Sequence, residues 1–301
     1  MNSDARISNT YLVDPHLLRT FVTVVRTGSF SAAARELGYT QAAVSQQIAS
    51  LENDLKVTLL HRRPVGATEA GARLLDHASP ILLRLQAARS EIARLAATPR
   101  LRLRAGASPL AAVHIADPLA EARRAHPRLD ATVRVLPRAG IAAAVATGEL
   151  DIGLVDGAAA PSDPLRLDVP VTAVAIGERP LVVPLPFTHP LASRSGLDLH
   201  DLADALWVDV PDVVVPMASL RRATGRRDGF RTPLTCEGGD PGLLAALLAA
   251  GHGLAVVPAG VALHPGLVEV PVREPRIVHR TELLHLRTPG PATATFIDAL
   301  P

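Results

Sequence analysis

The sequence predicts an α/β protein in which an all-α N-terminal region leads through one long helix into a larger C-terminal α/β domain. Three patterns support this prediction: helical spacing of apolar residues from Pro15, a heptad pattern up to about residue 97, and strands alternating with helices beyond residue 99. A chain of 301 residues, 48% of them hydrophobic, is long enough for two domains with separate cores.

Composition excludes several classes of protein. The single cysteine, Cys236, excludes an intramolecular disulfide framework, and we expect it to act as a small apolar residue. Residues 1–14 lack the cationic and apolar blocks of a secretion signal, so we expect a cytoplasmic protein. The uncharged segment 242–263 is long enough to span a bilayer, but Gly251 and Gly253 interrupt it. We therefore expect no membrane association.

Three short helices are predicted between residues 15 and 55. The first has Asp14 as its cap and Pro15 in its first turn. The second covers residues 31–37 and the third about residues 41–55. The turn between them, Gly38-Tyr39-Thr40, has the length and leading glycine of a helix-turn-helix. An ordinary three-helix packing unit is the alternative interpretation.

The exposed face of the third predicted helix favours the helix-turn-helix. Gln41, Ala42, Ser45 and Gln46 share this face, and none of them is acidic. Small side chains allow a helix to enter the major groove, and a glutamine amide can donate to and accept from an adenine edge. The face therefore suits contact with bases better than a plain surface role.

A hairpin and a long helix are predicted next. Residues 59–68 form a turn-rich hairpin pattern with two adjacent arginines, Arg62 and Arg63, which suit phosphate contacts. From residue 69 to about 97 a heptad pattern predicts a helix that pairs with another helix. Pro80 lies inside this pattern, so we expect a kink or a restart of the helix at that point.

Beyond residue 99, alternating segments predict a parallel α/β sheet. Strands are expected first at residues 101–105, 132–136 and 151–155, with helices ending near 124 and 147. Later strands are expected at 180–184, 206–210, 254–257 and 282–287, with a helix at 242–250.

An enzyme is the competing class, because α/β domains also carry catalysis. Residues 106–110 lack the final glycine of a nucleophile elbow, and Lys56, the one lysine, stands outside any phosphate-binding loop. The histidines show no metal-ligand spacing. We therefore expect no enzymatic activity, catalytic residue, cofactor or metal, and a hydrolase that depends on Ser108 stays as the alternative.

Several motifs resemble those of LysR-type transcriptional regulators, over nearly the whole chain. Residues 29–34 and 40–48 resemble the family's helix-turn-helix signature, and Thr68-Glu69-Ala70-Gly71 resembles the motif that closes it. Residues 148–155, 189–192 and 250–258 resemble three recurrent stretches of the family's effector domain.

This resemblance implies a domain organisation. It divides the chain into a flexible tail (1–14), a winged helix-turn-helix (15–72), a dimerising linker helix (73–97) and a two-lobed effector domain (98–301). The effector domain would resemble type 2 periplasmic binding proteins, with one lobe at 98–177 and 268–301 and the other at 178–267. The implied partners are promoter DNA, a small effector between the lobes, further copies of the chain as dimers or tetramers, and RNA polymerase.

The resemblance also implies site residues. Base contacts would come from Gln41, Ala42, Ser45 and Gln46, and phosphate contacts from Ser29, Ser31, Thr40, Arg62, Arg63 and Thr68. Effector contacts are expected at strand ends, from Ser108, Pro109, Arg138, Asp209, Pro211 and Gly239. A plain helix cap is the alternative for Ser108, and a solvated surface charge is the alternative for Arg138.

Three departures from the family pattern affect these expectations. Ala42 stands where the family often has proline, and Gln46 stands where arginine is common, so we expect lower affinity or an altered base preference. The wing, residues 62–67, is about two residues shorter than usual.

The expected function is effector-dependent activation or repression of transcription, including that of its own or a neighbouring gene. A DNA-binding regulator without an effector is the alternative.

Overall fold

The computed structural model of the chain describes residues 13–96, 101–167, 169–261, 264–286 and 289–300. The chain divides into two units, residues 1–89 and 90–301. Each unit has its own buried apolar core. The predicted tail, residues 1–14, lies almost wholly outside the described residues.

Three helices begin the N-terminal unit, as the sequence predicts. Local sequence fixes their ends, because the side chains of Asp14, Ser29 and Thr40 accept hydrogen bonds from the first-turn N–H groups. Gly38 ends the second helix at a φ of 72°, a left-handed conformation that favours glycine. The helices are α1 (Pro15–Thr27), α2 (Phe30–Leu37) and α3 (Gln41–Leu55).

The predicted hairpin is confirmed and packs against this helical core. Strands β1 (Leu60–Arg62) and β2 (Val65–Ala67) pair antiparallel. The Glu52 carboxylate of α3 accepts hydrogen bonds from the N–H groups of Leu59, at 2.8 Å, and Leu60, at 3.2 Å. The core consists of Leu18, Phe21, Val24, Ala33, Ala34, Val44, Ile48, Leu51, Leu59, Leu60 and Ala78.

The hairpin returns to the long helix α4 (Glu69–Ala96) through a close backbone contact. A Cβ atom at Gly71 would lie 2.1 Å from the carbonyl oxygen of Leu59, so this position admits only glycine without a shift of backbone. Helix α4 runs through Pro80 without interruption, so the predicted restart is wrong. Burial of Ala78, two residues earlier, holds the helix against the core despite the hydrogen bond that Pro80 cannot donate.

The C-terminal unit is built on one sheet of mixed direction. Its strands are β3 (Arg102–Ala107), β4 (Asp130–Val135), β5 (Ile152–Ala159), β6 (Thr172–Pro186), β7 (Leu197–Asp198), β10 (Val257–Pro258), β11 (Leu267–Glu274) and β12 (Val278–His285). The order is β4-β3-β5-β12-β6-β11-β7, and β10 also pairs with β6. Strands β3, β4 and β5 are parallel, but β12 is antiparallel to β5 and β6. The expectation of a parallel sheet therefore holds for one part only.

Buried side chains define two lobes in this unit. In lobe I, two apolar clusters cover opposite faces of the sheet. Successive side chains of a strand point to opposite faces, and the neighbours Leu283 and Leu284 belong to different clusters. Lobe II has a single larger cluster that extends from Leu181 to Val270 along the chain. Strand β11, which contains the predicted lobe boundary at residue 268, contributes Val270 to lobe II.

Strand β6 belongs to both lobes. Its residues 172–180 pair with β12 in lobe I, and residues 181–186 pair with β10 and β11 in lobe II. The sequence analysis predicts only residues 180–184 as strand, although the earlier half of β6, which is mostly exposed, contains the apolar run 173–176.

The remaining elements cover the sheet and complete lobe II. Lobe I contains the helices α5 (Ala116–Ala125), α6 (Arg138–Ala146) and α9 (Pro291–Asp298). Lobe II contains the helices α7 (Met217–Thr224) and α8 (Pro241–Ala249) and the paired strands β8 (Leu206–Asp209) and β9 (Arg231–Thr235). The predicted strand 254–257 is paired at its two ends only. Leu254 forms a bridge with Trp207, and Val257 is the first residue of β10. Within the described residues, no helix is long and apolar enough to cross a membrane.

Candidate functional site

The predicted base-reading residues share the outer face of α3. Gln41, Ala42 and Gln46 are exposed and Ser45 is half-buried, whereas the opposite face places Val44 in the core. The face carries amide, hydroxyl and methyl groups and no acidic side chain. This composition is compatible with the negatively charged groove of a duplex.

A hydrogen bond orients the first of these side chains. The Ser31 hydroxyl on α2 donates to Oε1 of Gln41 at 3.0 Å. The Gln41 amide nitrogen is then directed away from α2 as a donor. Thr40 caps α3 through its hydroxyl oxygen, which accepts from the Ala43 N–H at 3.2 Å. Ser31 and Thr40 thus lie at the junction between the two helices, beside the base-reading face.

The wing arginines differ in how they are held. Arg62 lies with its guanidinium carbon 5.1 Å from the centre of the Phe30 ring and donates to Glu52 at 3.2 Å. Arg62 nevertheless keeps about half of its side chain exposed, with 51% accessible. Arg63 is exposed at the tip of the hairpin. Their contact with phosphate stays a prediction.

Two predicted phosphate ligands have structural roles as well. The Ser29 oxygen caps α2 by accepting from the Ala32 N–H at 3.3 Å. The Thr68 hydroxyl donates to the Thr58 carbonyl at 2.8 Å and accepts from the Gly71 N–H at 3.0 Å. Thr68 therefore joins the hairpin to α4, and its contact with phosphate stays a prediction.

A small cavity lies between the two lobes of the C-terminal unit. Its volume is about 10 Å³, roughly the space that a single water molecule occupies. Lobe I contributes Leu110, Arg138, residues 156–158 and His279, and lobe II contributes residues 212–216 and Pro258. The side chains of the two lobes therefore nearly fill the space between them in this structure.

Arg138 lines this cavity, as predicted for an effector-binding residue, although its role there stays a prediction. Its guanidinium lies against Gly157, where a Cβ atom would come within 2.8 Å of it. Its backbone N–H, at the start of α6, donates to Asp212 of lobe II at 3.2 Å. The Nε atom of Arg138 is buried and has no hydrogen-bond partner in the structure. The alternative of a solvated surface charge does not describe this side chain.

Ser108 is buried behind the cavity wall. Its hydroxyl forms a short hydrogen bond to Oδ1 of Asp156, and Oδ2 of Asp156 lies 2.6 Å from Nε2 of His279. All three side chains are buried, with 0% of Ser108 and 3% each of Asp156 and His279 exposed. Ser108 therefore does not border the cavity, and it affects a ligand only through Asp156 and His279.

Burial and hydrogen bonding act in opposite directions on Asp156. Burial raises the pKa of its carboxyl, but the hydrogen bond and charge of His279, the Ser108 hydroxyl and the charge of Arg138 together lower it below the usual value. Asp156 is thus an anion with one hydrogen-bond donor at each of its two oxygens. Beside it, burial and the charges of Arg179 and His279 lower the pKa of His114.

The other predicted effector residues lie away from this cavity. Pro109 packs against Gly239, where a Cβ atom would come within 2.5 Å of the proline ring. Asp209 ends β8 and accepts the Cys236 N–H through its backbone oxygen at 2.8 Å. Pro211 is exposed and none of these four lines the described cavity. Their contact with an effector stays a prediction.

Sequence reasoning missed Asp156 and His279. Asp156 directly follows the buried run 152–155, so a carboxylate at a strand end was a usable signal. His279 gave no signal, because its partner lies 123 residues away and the two meet only through pairing of β5 with β12. In the ranges that the structure describes, no group of three or more His, Cys, Asp or Glu residues is arranged to hold a metal ion.

Two family models match the chain. Residues 15–72 match the model for the bacterial regulatory helix-turn-helix protein, lysR family, and residues 96–301 match the LysR substrate binding domain. The small neutral protease regulatory protein of Streptomyces coelicolor is 32% identical over 79% of this chain and 75% of its own length. The HTH-type transcriptional regulator BudR of Raoultella terrigena is 31% identical over 80% of this chain and 83% of its own.

Solved structures share the architecture. The crystal structure of full-length BenM is 23% identical and covers 96% of this chain and 95% of its own, with a TM-score of 0.54. CbnR, a LysR family transcriptional regulator, is 20% identical and covers 96% of this chain and 98% of its own, with a TM-score of 0.51. At these identities the likeness establishes the fold alone.

Proposed function

Because the chain belongs to the LysR family of DNA-binding transcriptional regulators, we propose that α3 and the wing read promoter DNA and that a small effector in the cavity of the C-terminal unit controls this activity. The two actions are assigned to separate units, each with its own core.

The observation that carries the DNA-binding proposal is the two-sided character of α3. One side anchors the helix through Val44, Ile48 and Leu51, which are fully buried. The other side presents Gln41, Ala42, Ser45 and Gln46 without an acidic group. A helix held in this way can enter a major groove about 12 Å wide with its small and amide side chains against base edges.

Phosphate contacts are assigned to the residues around this face. We propose that Ser29, Ser31, Thr40, Arg62, Arg63 and Thr68 position the unit on the duplex. Ser31 has a second role in this proposal, because its hydrogen bond to the Gln41 side-chain oxygen leaves the Gln41 amide nitrogen as a donor to the DNA. A donor at this place favours an acceptor on the base edge, such as N7 of a purine.

The test is binding of the purified protein to DNA upstream of its own gene, against excess random duplex at two salt concentrations. We expect Gln41→Ala to cost about 1–3 kcal/mol on the specific site and little on random DNA. Arg62→Ala should weaken binding to both DNAs and reduce the salt dependence. Equal losses on both DNAs for Gln41→Ala would contradict the base-reading role.

The effector proposal rests on the cavity between the lobes. Arg138 lines this space, and its buried Nε has no hydrogen-bond partner in the structure. A ligand that accepts a hydrogen bond from Arg138 and also contacts lobe II at residues 212–216 would favour one relative position of the lobes over another. Binding would then shift the population between these two conformations of the domain. A ligand present at 100 times its dissociation constant should raise stability by about 2.7 kcal/mol. A regulator without an effector would show no such shift with any metabolite.

Self-association is proposed through α4. Ile81 and Ile92 are 48% and 65% exposed on this helix, at heptad positions that suit a second copy of the chain. Dimers, and tetramers formed from them, would place two wings on one promoter, with RNA polymerase as a further partner in the cytoplasm. Sedimentation of the protein and of Ile81→Glu tests this proposal, and an unchanged mass would contradict it.

We propose no catalytic activity. The Ser108 hydroxyl is fully buried and bonded to a carboxylate, with Asp156 between it and the histidine. A hydrolytic serine needs an exposed oxygen and a base beside it. Ester hydrolysis that disappears in Ser108→Ala would overturn this statement.

A further inference from the structure

Helix α3 ends in a turn that favours glycine, but a lysine occupies it. The N–H of Lys56 donates to the Asn53 carbonyl at 3.3 Å, and the N–H of Val57 donates to the Glu52 carbonyl at 3.1 Å. This pair of hydrogen bonds goes with a left-handed residue just after the helix. Lys56 accordingly has a φ of 53°. A side chain in this conformation costs free energy that glycine avoids.

Three other helices of the chain use glycine at this place. Helix α2 ends with the same two hydrogen bonds around Gly38, and α1 and α7 end at the left-handed Gly28 and Gly225. Lys56 is also the one lysine of the chain. A residue other than glycine that keeps a strained conformation indicates a use for its side chain. The Lys56 side chain is exposed, so this use lies at the surface and not in the core.

Lys56 borders an open groove beside the C-terminal end of α3. The other lining residues are Ala49, Glu52, Asn53, Val57 and Thr58. Asn53 and Thr58 are exposed and bring an amide donor and a hydroxyl donor, and Val57 is 42% exposed. The groove thus offers a cation, two neutral donors and an apolar side chain. This combination suits the phosphates and sugars of a nucleic acid backbone.

Glu52, the carboxylate among these lining residues, is turned towards the hairpin. Its Oε1 atom accepts hydrogen bonds from the N–H groups of Leu59, at 2.8 Å, and Leu60, at 3.2 Å. Its Oε2 atom accepts from Arg62 at 3.2 Å, and only 15% of the side chain is exposed. The negative charge is therefore compensated by donors, and Lys56 gives the exposed surface of the groove a positive character.

The groove continues the base-reading face of α3. Ala42, Gln46, Ala49 and Asn53 follow one another at spacings of four, three and four residues and are all exposed, so they form one stripe along the helix. From Gln46 to the end of α3 the helix rises by about 14 Å, which exceeds the major-groove width of about 12 Å. In a helix that crosses the groove with its first half against base edges, the far end therefore meets the backbone that borders the groove.

We propose that the groove beside α3 receives the sugar–phosphate backbone of the bound DNA, with the Lys56 ammonium on a phosphate and Val57 against the adjoining deoxyribose. Lys56 is then a positioning residue, because a phosphate carries no direct sequence information. This inference rests on the proposed DNA-binding function. It adds a contact that neither the base-reading face nor the wing supplies.

Lys56→Gln and Lys56→Gly test the charge of this side chain. Binding of each full-length variant to the upstream DNA and to random duplex is titrated between about 50 and 300 mM salt. Both variants should bind both DNAs about three- to tenfold more weakly at about 0.1 M salt. The slope of log affinity against log salt concentration should fall by about one for each copy of the chain on the duplex. Lys56→Arg should restore both quantities.

Thermal unfolding distinguishes this role from a purely structural one. Because glycine adopts the left-handed conformation without strain, Lys56→Gly should raise the unfolding midpoint by roughly 2–5 °C while it weakens DNA binding. A residue kept only for the fold would lose stability on substitution and leave the salt slope unchanged. A lower midpoint with an unchanged slope would therefore overturn the proposal.

Arg128→Gln is the matched control, since it removes one exposed positive charge from the C-terminal unit. It should leave the affinity and the salt slope unchanged. An equal effect of Lys56→Gln and Arg128→Gln would show that net charge alone is at work and would contradict the contact. If the unaltered protein binds the upstream DNA specifically and Lys56→Gln binds equally well, this inference fails and the regulator function stands. Absence of DNA binding by the unaltered protein would contradict the function itself.

Discussion

The Asp156 carboxylate shows how one buried charge is held by two neighbours. Ser108 and His279 donate to its two oxygens, and these bonds keep its pKa low although burial alone would raise it. Removing the charge therefore weakens the hydrogen bonds that Asp156 forms with Ser108 and His279. The same residue links stability of the domain to the chemistry of the site.

Asp156→Asn tests the stability part of this link. Because the folded-state pKa lies below the ordinary value of 3.8, the stabilising contribution is complete above that value and is lost as pH falls through the lowered pKa. We expect the substitution to destabilise the protein by about 1 kcal/mol or more at pH 7, and by less at pH 3, where part of the contribution of the carboxylate is lost. Urea unfolding at both pH values measures the difference. The exposed Asp163 gives the control Asp163→Asn, and an equal effect of the two substitutions would contradict the prediction.

Gly71 is a second position where a single added carbon atom changes the stability of the fold. A methyl group there would meet the Leu59 carbonyl oxygen at 2.1 Å, whereas nothing lies within 4 Å of a Cβ atom at Gly66. We expect Gly71→Ala to destabilise the N-terminal unit by about 1–3 kcal/mol through displaced backbone, and Gly66→Ala to change it little. Thermal unfolding followed by circular dichroism compares them, and similar midpoints for both variants would count against the steric explanation.

At the scale of elements, the sequence predicts those helices and strands whose ends and apolar spacing are set by residues close together in the chain. Helices α1, α2 and α3 were predictable because their caps and apolar spacing lie within a few residues of one another. Helices α7 and α9 and strand β11 were missed, since they are short or mixed in polarity and acquire their form from packing. Base-reading positions could be named from a helix face, but the His279 site depends on pairing of distant strands.

Helix α4 offers a prediction at this scale. Pro80 donates no hydrogen bond to the Asp76 carbonyl, yet the helix continues through it. We expect Pro80→Ala to stabilise the helix by up to about 3 kcal/mol. The neighbouring Ser79→Ala, as control, should add about 0.5 kcal/mol or less. Helical circular dichroism during thermal unfolding measures both, and loss of stability in Pro80→Ala would show that the proline is required by its packing.

At the scale of the whole molecule, two units with separate cores predict two unfolding transitions. Gly71→Ala should lower the midpoint of one transition and Asp156→Asn the midpoint of the other, because the two sites belong to different cores. Differential scanning calorimetry resolves them. A single transition shifted by both substitutions would show that the units unfold together.

The continuity of β6 has a mechanical consequence for the effector domain. Its 15 residues pass from lobe I into lobe II within one hydrogen-bonded sheet. A change in the angle between the lobes is therefore a torsion shared by several peptide groups, since sheets already carry twist. Torsion of a strand brings an elastic restoring force that grows with the angle, unlike rotation about an open loop. The continuity of β6 therefore opposes a change in the angle between the lobes more strongly than an open loop would.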